Sequence, residues 1–297
     1  MSSLKILITG GSGFLGEYLN IELSKKFEIL TLFQNNPGNC GEFKNRKIDI
    51  TDLISLEKVF QDFQPDIVVH TAAVSTQSEA EKMSSQEVYL TNVISSQKIA
   101  ELCTANKCRL IYTSTDLVYA GYRGSLLDEK SKLIPASLYA ETKLMGESKI
   151  KETTEDFIIL RTALLFGIGI SGSKSHFQKI SEDLKEGREV KLFKDQYRSP
   201  LYVKDAARMI RELIEKNVSG EILNFGGPER ISRMQLGNIL CEEAGYDKSL
   251  LKEISMDDIP DLVKVEDVSL NIEKLEGYGI APLSVRDAVK KIISGEK

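Results

Sequence analysis

Three side chains in the middle of the sequence have the types and spacing needed to move a proton to or from a substrate. Tyr139 and Lys143 are four residues apart in a segment of helical pattern, so we expect them on one face of that helix. A phenol has an ordinary pKa of about 10, and a neighbouring ammonium group stabilises the phenolate and lowers that pKa. Thr115 ends an earlier apolar run, which places its hydroxyl at the carboxyl edge of a parallel sheet. Together the three residues predict a general acid or base that works near neutral pH.

A glycine-rich turn near the N-terminus is the second candidate site. The segment that follows the apolar run KILIT contains Gly10, Gly11, Gly13 and Gly16, with Phe14 and Leu15 between the last two glycines. A pyrophosphate reaches the backbone N–H groups at a helix N-terminus only where no Cβ intervenes, and the helix dipole favours the anion. At the first strand-to-helix turn, this spacing predicts a dinucleotide-binding site. A turn that only permits tight packing is the alternative.

The end of the second predicted strand bears on the choice of cofactor. NAD-binding folds carry an acidic residue about 20 residues after the glycines, where it binds the adenosine ribose. Here the strand ends in Phe33, Gln34 and Asn35, so no carboxylate repels a 2′-phosphate. The sequence therefore favours NADP(H), with NAD(H) left open. Lys44 and Arg46 are the nearest basic residues, and each either serves that phosphate or is a solvated surface charge.

The elements that must position these residues alternate along the chain. In the first 165 residues, short apolar runs alternate with segments of helical period, which predicts an α/β fold with a doubly wound parallel sheet. After Phe166 a Gly/Ser-rich loop follows and the segments become shorter. We therefore expect a Rossmann-type dinucleotide-binding domain over 1–165 and a smaller α/β substrate domain over 166–297. Part of the second region, roughly 188–226, is expected to return to the first domain.

Composition excludes several classes of protein and of partner. The chain has 297 residues, and 39 Lys and Arg against 44 Asp and Glu give a net charge of −5, which provides no general attraction to nucleic acid or to an anionic membrane. The four cysteines form no CxxC pair and there are two histidines, so no metal site is predicted. No apolar run approaches the roughly 18 residues of a membrane helix. The expectation is a cytoplasmic globular protein with reduced cysteines.

Four segments, in order, resemble the extended short-chain dehydrogenase/reductase family. They are GGSGFLG, HTAA (His70 to Ala73), STDLVY (Ser114 to Tyr119) and PASLYAETKLMGE (Pro135 to Glu147). The site residues that the resemblance implies are Thr115, Tyr139 and Lys143 for catalysis, Asp49 and Ile50 near the adenine, and Ala72 and Ala73 along the nicotinamide half. For Thr115 and Asp49 the alternative is a turn residue at a strand end.

Segments of the second region are similar to the dTDP-4-dehydrorhamnose reductase branch of that family. They are RTALLFG, the pair His176-Phe177 and KDQYRSP, and the resemblance extends over nearly the whole chain. It implies His176, Phe177, Arg198, Thr115 and Asp116 as substrate contacts. The branch usually has asparagine in place of His176 and glycine in place of Arg198.

Each of these substrate contacts has an alternative. Related epimerases use an arginine at the position of Arg198 to hold the substrate diphosphate, and a salt bridge is the alternative there. His176 either contacts sugar hydroxyls or is a polar residue at a helix start, and Asp116 either contacts a sugar hydroxyl or completes its turn. Dehydratases of the family continue the Thr-Asp pair with a glutamate, whereas Leu117 follows here.

The function that the resemblance implies is reduction of a keto group, at C4 of a nucleotide-diphosphate sugar, by an oxidoreductase that prefers NADP(H). One alternative is a sugar-nucleotide epimerase with tightly bound NAD. Another is a non-catalytic, NADP-binding regulatory subunit similar to the β subunit of methionine adenosyltransferase. The family often dimerises through the helices that carry the Glu79 region and Tyr139, so a homodimer is expected.

Overall fold

The computed structural model of the chain describes residues 3–122, 124–171, 174–260 and 262–295. The strands are β1 (Lys5–Thr9), β2 (Glu28–Phe33), β3 (Asn45–Lys47), β4 (Ile67–His70), β5 (Arg109–Thr115), β6 (Phe157–Thr162), β7 (Leu165–Phe166), β8 (Val190–Phe193), β9 (Tyr197–Arg198), β10 (Leu201–Tyr202), β11 (Glu221–Phe225), β12 (Ile231–Ser232) and β13 (Leu251–Ile254). The helices are α1 (Phe14–Ser24), α2 (Leu53–Phe63), α3 (Gln77–Ala80), α4 (Ser85–Tyr89), α5 (Ser95–Asn106), α6 (Leu138–Thr153), α7 (His176–Lys185), α8 (Val203–Glu215), α9 (Arg233–Ala244), α10 (Glu273–Glu276) and α11 (Val285–Ser294).

The large sheet is parallel and, over the described residues, has seven strands in the order β3-β2-β1-β4-β5-β6-β11. Its register aligns the strand ends that carry the candidate residues. Thr9 pairs with His70, His70 pairs with Tyr112, and Thr115 pairs with Thr162. The carboxyl ends of β1, β4 and β5 therefore lie at one edge of the sheet, where open α/β folds bind ligands.

Apolar side chains alternate along each central strand, so both faces of the sheet are buried. Ile6 and Ile8 pack on the side of α1 and α8, while Leu7 packs on the side of α2 and α5. Burial on both sides requires helices on both sides, because a parallel sheet has no face turned to water. The predicted α/β fold with a doubly wound parallel sheet is confirmed.

The region after β6 contributes both to the large sheet and to a smaller part. Glu221–Phe225 adds to the sheet edge beside β6, whereas β8 pairs in parallel with β13 under α9. Two further strand pairs, β7 with β10 and β9 with β12, connect the two parts. A domain boundary at 165/166 stays a prediction.

The stretch from Glu79 to Asn106, which has the pattern of one helical region, contains the end of α3 and, after a break at residues 81–84, a continuous helical segment over 85–106. A capping box at Ser84 and Glu87 begins a new helix after α3, and a π-helical turn at Leu90–Ile94 joins α4 to α5. Within the described ranges, no helix has both the length and the apolar character required to span a membrane.

Candidate active site

The glycine turn between β1 and α1 is shaped for close approach of a ligand to the backbone. Gly10 has a φ of +69°, and a Cβ there would lie 2.7 Å from the backbone nitrogen of Ala72. A Cβ on Gly16 would collide with the carbonyl oxygen of Gly10. Gly13 begins α1 without any side-chain cap, so the first N–H groups of the helix are available to an anion. The turn thus fits the diphosphate of a dinucleotide.

This turn forms one end of a cleft of about 1060 Å³ at the carboxyl edge of the sheet. All of the catalytic and substrate-binding residues that the resemblance implies line the cleft except one, together with most of the predicted cofactor-binding residues. Those lining it are Gly10, Gly13, Phe14, Leu15, Gly16, Asp49, Ile50, Ala72, Ala73, Thr115, Asp116, Tyr139, Lys143, His176 and Arg198. The exception is Phe177, whose ring is 3% exposed and packs on Phe166 in the core, with ring centroids 5.3 Å apart. Its burial corrects the expected substrate contact.

The end of the cleft beside β2 and β3 contains an uncharged amide and a carboxylate. The Gln34 amide donates to Asp49 Oδ2 at 2.8 Å, and Thr51 donates to Oδ1 from its backbone N–H at 2.9 Å and its hydroxyl at 2.7 Å. Burial tends to raise the pKa of Asp49, but these hydrogen bonds outweigh burial and hold the pKa below its ordinary value. The carboxylate is therefore charged.

Neither basic residue near that end lines the cleft. Lys44 pairs with Glu28 at 3.1 Å, and Arg46 pairs with Asp62 at 2.8 Å, both on the surface. The structure thus gives each residue the alternative role, that of a solvated surface charge.

Thr115, Tyr139 and Lys143 meet deeper in the cleft. Thr115 ends β5, and the other two occupy successive turns of α6, which begins after the Ser137 cap. The Thr115 hydroxyl donates to Asp116 Oδ1 at 3.2 Å, and the Tyr139 hydroxyl hydrogen-bonds to the Thr115 side chain. The Lys143 ammonium lies 4.0 Å from the centre of the Tyr112 ring. The strand end and the helix face therefore assemble the predicted trio.

Burial shifts both titratable members of the trio toward their neutral forms. It raises the pKa of Tyr139 to about 12, and the negative charges of Asp116 and Glu79 add to the rise while the hydrogen bond with Thr115 opposes it. Burial also lowers the pKa of Lys143 to about 7, against the opposing charge of Glu147. The Tyr139–Lys143 spacing predicts a lowered phenol pKa, whereas the structure raises that pKa, because desolvation dominates.

A buried ion pair and a hydrogen bond from β5 meet at one carboxylate on α6, and so connect the two elements that carry the trio. Arg161 on β6 forms a salt bridge with Glu147 on α6 at 2.9 Å, with side chains 2% and 0% exposed. Ser114 donates to the same carboxylate at 2.5 Å from the residue before Thr115. Sequence analysis missed this role, since Glu147 and Arg161 were noted only as parts of motifs. The available signal was that Glu147 follows Lys143 by one helical turn. Arg161 lies on the strand beside that of Ser114, with which it pairs.

The far end of the cleft is charged. Asp116 is 4% exposed and its Oδ2, which has no hydrogen-bond partner in the structure, lies 3.8 Å from Arg198 Nε. Burial raises the pKa of Asp116, while Arg198 opposes the rise. His176 begins α7 at the mouth of the cleft, and burial together with Arg233 and Lys179 lowers its pKa. The structure thus places Arg198 both in a salt bridge and on the cleft wall.

Arg233 is a cleft residue that the sequence did not reveal. It is the first residue of α9 and lines the cleft, where it interacts electrostatically with Asp116. Only the tertiary packing of α9 brings it there, because nothing in its local sequence distinguishes it from a surface arginine. Among the residues that the structure describes, no group of three or more His, Cys, Asp or Glu side chains is arranged to hold a metal ion.

Comparison with known proteins extends over the whole chain. The family model described as RmlD substrate binding domain matches residues 4–297. The chain is 28% identical to the spore coat polysaccharide biosynthesis protein SpsK of Bacillus subtilis, over 97% of this chain and 96% of that protein. It is 27% identical to dTDP-4-dehydrorhamnose reductase of Aggregatibacter actinomycetemcomitans, over 97% and 98%. It is also 27% identical to the methionine adenosyltransferase 2 subunit beta of Pongo abelii, over 93% and 83%.

Solved structures share the fold. The dTDP-4-dehydrorhamnose reductase of Bacillus anthracis in complex with NADP superposes with a TM-score of 0.86 at 23% identity, covering 99% of this chain and 100% of that one. The dTDP-glucose 4,6-dehydratase of the same organism, in complex with NAD, gives 0.82 at 20% identity, covering 98% and 96%. At these identities the similarity shows a common fold.

Proposed function

This chain belongs to the RmlD substrate binding domain family, and on that premise we propose that it is an NADP(H)-preferring oxidoreductase that reduces a keto group of a nucleotide-diphosphate sugar. The observation that carries the proposal is the position of Thr115, Tyr139 and Lys143 in the cleft that begins at the glycine turn. A cofactor whose diphosphate lies at Gly13 has room along Ala72 and Ala73 toward these residues. The reductase among the curated relatives supports the same reaction class.

The chain's own residues hydrogen-bond to the carbonyl oxygen of the substrate and supply its proton. A bound nicotinamide cofactor supplies the hydride. Tyr139 donates its phenolic proton to the carbonyl oxygen, because a pKa of about 12 keeps the phenol protonated until the oxygen becomes basic. The Thr115 hydroxyl, which donates to Asp116 in the structure, turns its single O–H from Asp116 to that oxygen and gives it a second hydrogen bond. The Lys143 ammonium stabilises the phenolate that remains.

The test is consumption of NADPH, followed by absorbance, with a panel of keto-sugar nucleotides that differ in base and sugar. We expect steady consumption with a 4-keto substrate and recovery of the reduced sugar nucleotide. An epimerase would interconvert two sugar nucleotides without net consumption of cofactor. Binding of NADPH with no turnover of any panel member would contradict the reductase proposal.

The preference for NADP(H) rests on Gln34, an amide where NAD-binding folds place a carboxylate. We expect NADPH to bind more tightly than NADH in calorimetry. Gln34→Asp, which adds the repelling charge, should weaken NADPH binding by about tenfold and leave NADH binding nearly unchanged. Equal affinities of the unaltered protein for the two cofactors would contradict the preference.

A second candidate function is regulatory. The similarity to the methionine adenosyltransferase 2 subunit beta, over 93% of this chain, favours a cofactor-binding subunit that acts by association with another protein. The presence of Thr115, Tyr139 and Lys143 together in the cleft favours the enzyme. The same NADPH assay separates the two, since a regulatory subunit binds the cofactor and consumes none.

A further inference from the structure

Two guanidinium groups, of which Arg198 is buried and Arg233 is partly buried, line the end of the cleft that contains Asp116. Arg198 is 5% exposed and Arg233 begins α9, and both lie near Asp116. Burial, with the neighbouring charge of Arg198, lowers the pKa of Arg233 to about 10, and burial lowers that of Arg198 as well. Asp267 also acts on Arg198, but its carboxylate is paired with Arg230 at 2.6 Å. Unpaired charge away from water is costly, so two cations beside Asp116 indicate a site that an anionic ligand completes.

The hydrogen bonds of Arg198 are largely directed into the protein. Its Nη1 donates to the carbonyl oxygen of Tyr197 at 2.7 Å and to that of Val265 at 3.3 Å. Its Nε lies 3.8 Å from Asp116 Oδ2. These contacts fix the guanidinium against the cleft wall and direct its charge to Asp116, whose Oδ2 has no hydrogen-bond partner in the structure. Arg198 therefore directs its Nη1 donors into the protein and its charge to Asp116.

Arg233 differs from Arg198 in the use of its donors. Its Nε donates to Gln196 Oε1 at 2.9 Å, and its backbone N–H donates to the carbonyl oxygen of Gln196 at 3.2 Å. Within the described ranges, we find neither a salt bridge to Arg233 nor a hydrogen bond from its two terminal amino groups. As the first residue of α9, it also lies at the helix end whose dipole favours an anion over a cation. A bound anion would relieve both penalties.

We propose that Arg233, rather than Arg198, is the principal residue that holds the diphosphate of the substrate, and that Arg198 is a positioning residue for Asp116. This inference deepens the proposed function, because it assigns the anionic part of the same substrate. The planar fork of a guanidinium matches two phosphate oxygens, and the free amino groups of Arg233 supply that fork. Arg198 instead holds the carboxylate of Asp116 beside the sugar.

The experiment measures binding of nucleoside diphosphates and the matched monophosphates by calorimetry, with the protein saturated with NADPH. The panel is dTDP, UDP, GDP and CDP, each with its monophosphate. Arg233→Gln should weaken diphosphate binding by about tenfold or more, with a smaller loss for the monophosphate. The diphosphate affinity of Arg233→Lys should lie between those of the unaltered protein and Arg233→Gln, because lysine keeps the positive charge but lacks the planar guanidinium fork.

Arg198→Gln should change diphosphate affinity by less than about threefold, and should lower kcat rather than raise KM once a substrate is known. Lys179→Gln is the matched control. Lys179 is an exposed cation near His176, so its loss should leave diphosphate binding unchanged if general charge is not the cause. Unaltered NADPH affinity in all four variants would show that each one folds.

Loss of diphosphate binding in Arg198→Gln, with binding retained in Arg233→Gln, would overturn the assignment. So would failure of the unaltered protein to bind any nucleoside diphosphate. If diphosphates bind through Arg233 but no keto-sugar nucleotide is reduced, the assignment stands and the proposed reduction fails.

Discussion

Tyr139 is the residue whose chemistry can be tested most directly. Its raised pKa makes it a proton donor at neutral pH, and its hydroxyl hydrogen-bonds to the Thr115 side chain. We expect Tyr139→Phe to lower turnover by roughly a hundredfold or more, because the general acid is lost, with NADPH affinity nearly unchanged. Steady-state rates and calorimetry measure the two effects. Tyr122→Phe, at a tyrosine that is 59% exposed, is the control, and full activity in Tyr139→Phe would remove that residue from the mechanism.

The charge of Lys143 predicts a pH dependence. Burial lowers the pKa of Lys143 to about 7, so its side chain is fully protonated well below that pH and loses its charge as the pH rises through it. Because the ammonium stabilises the phenolate formed during reduction, kcat should fall as the pH rises through about 7. Lys143→Arg keeps the charge and should move this fall to higher pH, as a pH–rate profile would show. If kcat of the unaltered protein stays constant from pH 6 to pH 9, a range of roughly three units, the proposed role of the Lys143 ammonium is contradicted.

At the scale of residues, the sequence identifies the candidate catalytic side chains but not the burial that sets their pKa values. The four-residue spacing placed Tyr139 and Lys143 on one face, and both line the cleft. The predicted direction of the Tyr139 pKa shift was wrong, because pair spacing carries no information on burial. Phe177 was placed in the cleft and Arg233 was missed for a related reason: which side of a helix faces the cleft depends on packing between distant segments.

At the scale of elements, the Glu147–Arg161 ion pair connects α6 to the sheet. Its 2.9 Å salt bridge is almost fully buried, and Ser114 on β5 donates to the same carboxylate. Glu147→Gln removes the charge and leaves Arg161 buried without its counter-charge. We expect the free energy of unfolding to fall by about 3–5 kcal/mol in urea denaturation. Glu152→Gln, in an exposed pair with Lys149, should change it by about 1 kcal/mol or less, and equal losses would contradict a special role for the buried pair.

Element boundaries followed from the sequence where a single hydrophobic period continued unbroken. β1 is an example, because the apolar run KILIT and the glycines that follow it define the strand Lys5–Thr9 locally. The Glu79 to Asn106 stretch was different. Its helical pattern continues through the Ser84 capping box, so the sequence indicates one helical region where the structure has a break before Ser85 and a π-helical turn at Leu90–Ile94.

At the scale of the whole molecule, the fold leaves the reaction undetermined. The same architecture superposes with a TM-score of 0.86 on a dTDP-4-dehydrorhamnose reductase and of 0.82 on a dTDP-glucose 4,6-dehydratase. The alternation of strands and helices was sufficient to predict the architecture, because parallel strands require helical crossovers on both faces. The choice between reactions therefore depends on individual side chains in the cleft.

Leu117 is the side chain that separates this chain from the dehydratases it resembles. Those enzymes have a glutamate after the Thr-Asp pair, and elimination of water needs both a base and an acid. Here the position is occupied by a partly buried leucine that lines the cleft and packs in apolar clusters, while Asp116 is the acid that directly follows Thr115 in the sequence. A hydrocarbon accepts no proton, so dehydration should lose several kcal/mol of transition-state stabilisation. Incubation with NDP-glucose and NAD or NADP should therefore give no 4-keto-6-deoxy sugar, with a dehydratase as the positive control. Product at an ordinary enzymatic rate would require another base near Leu117 and would overturn the reductase proposal.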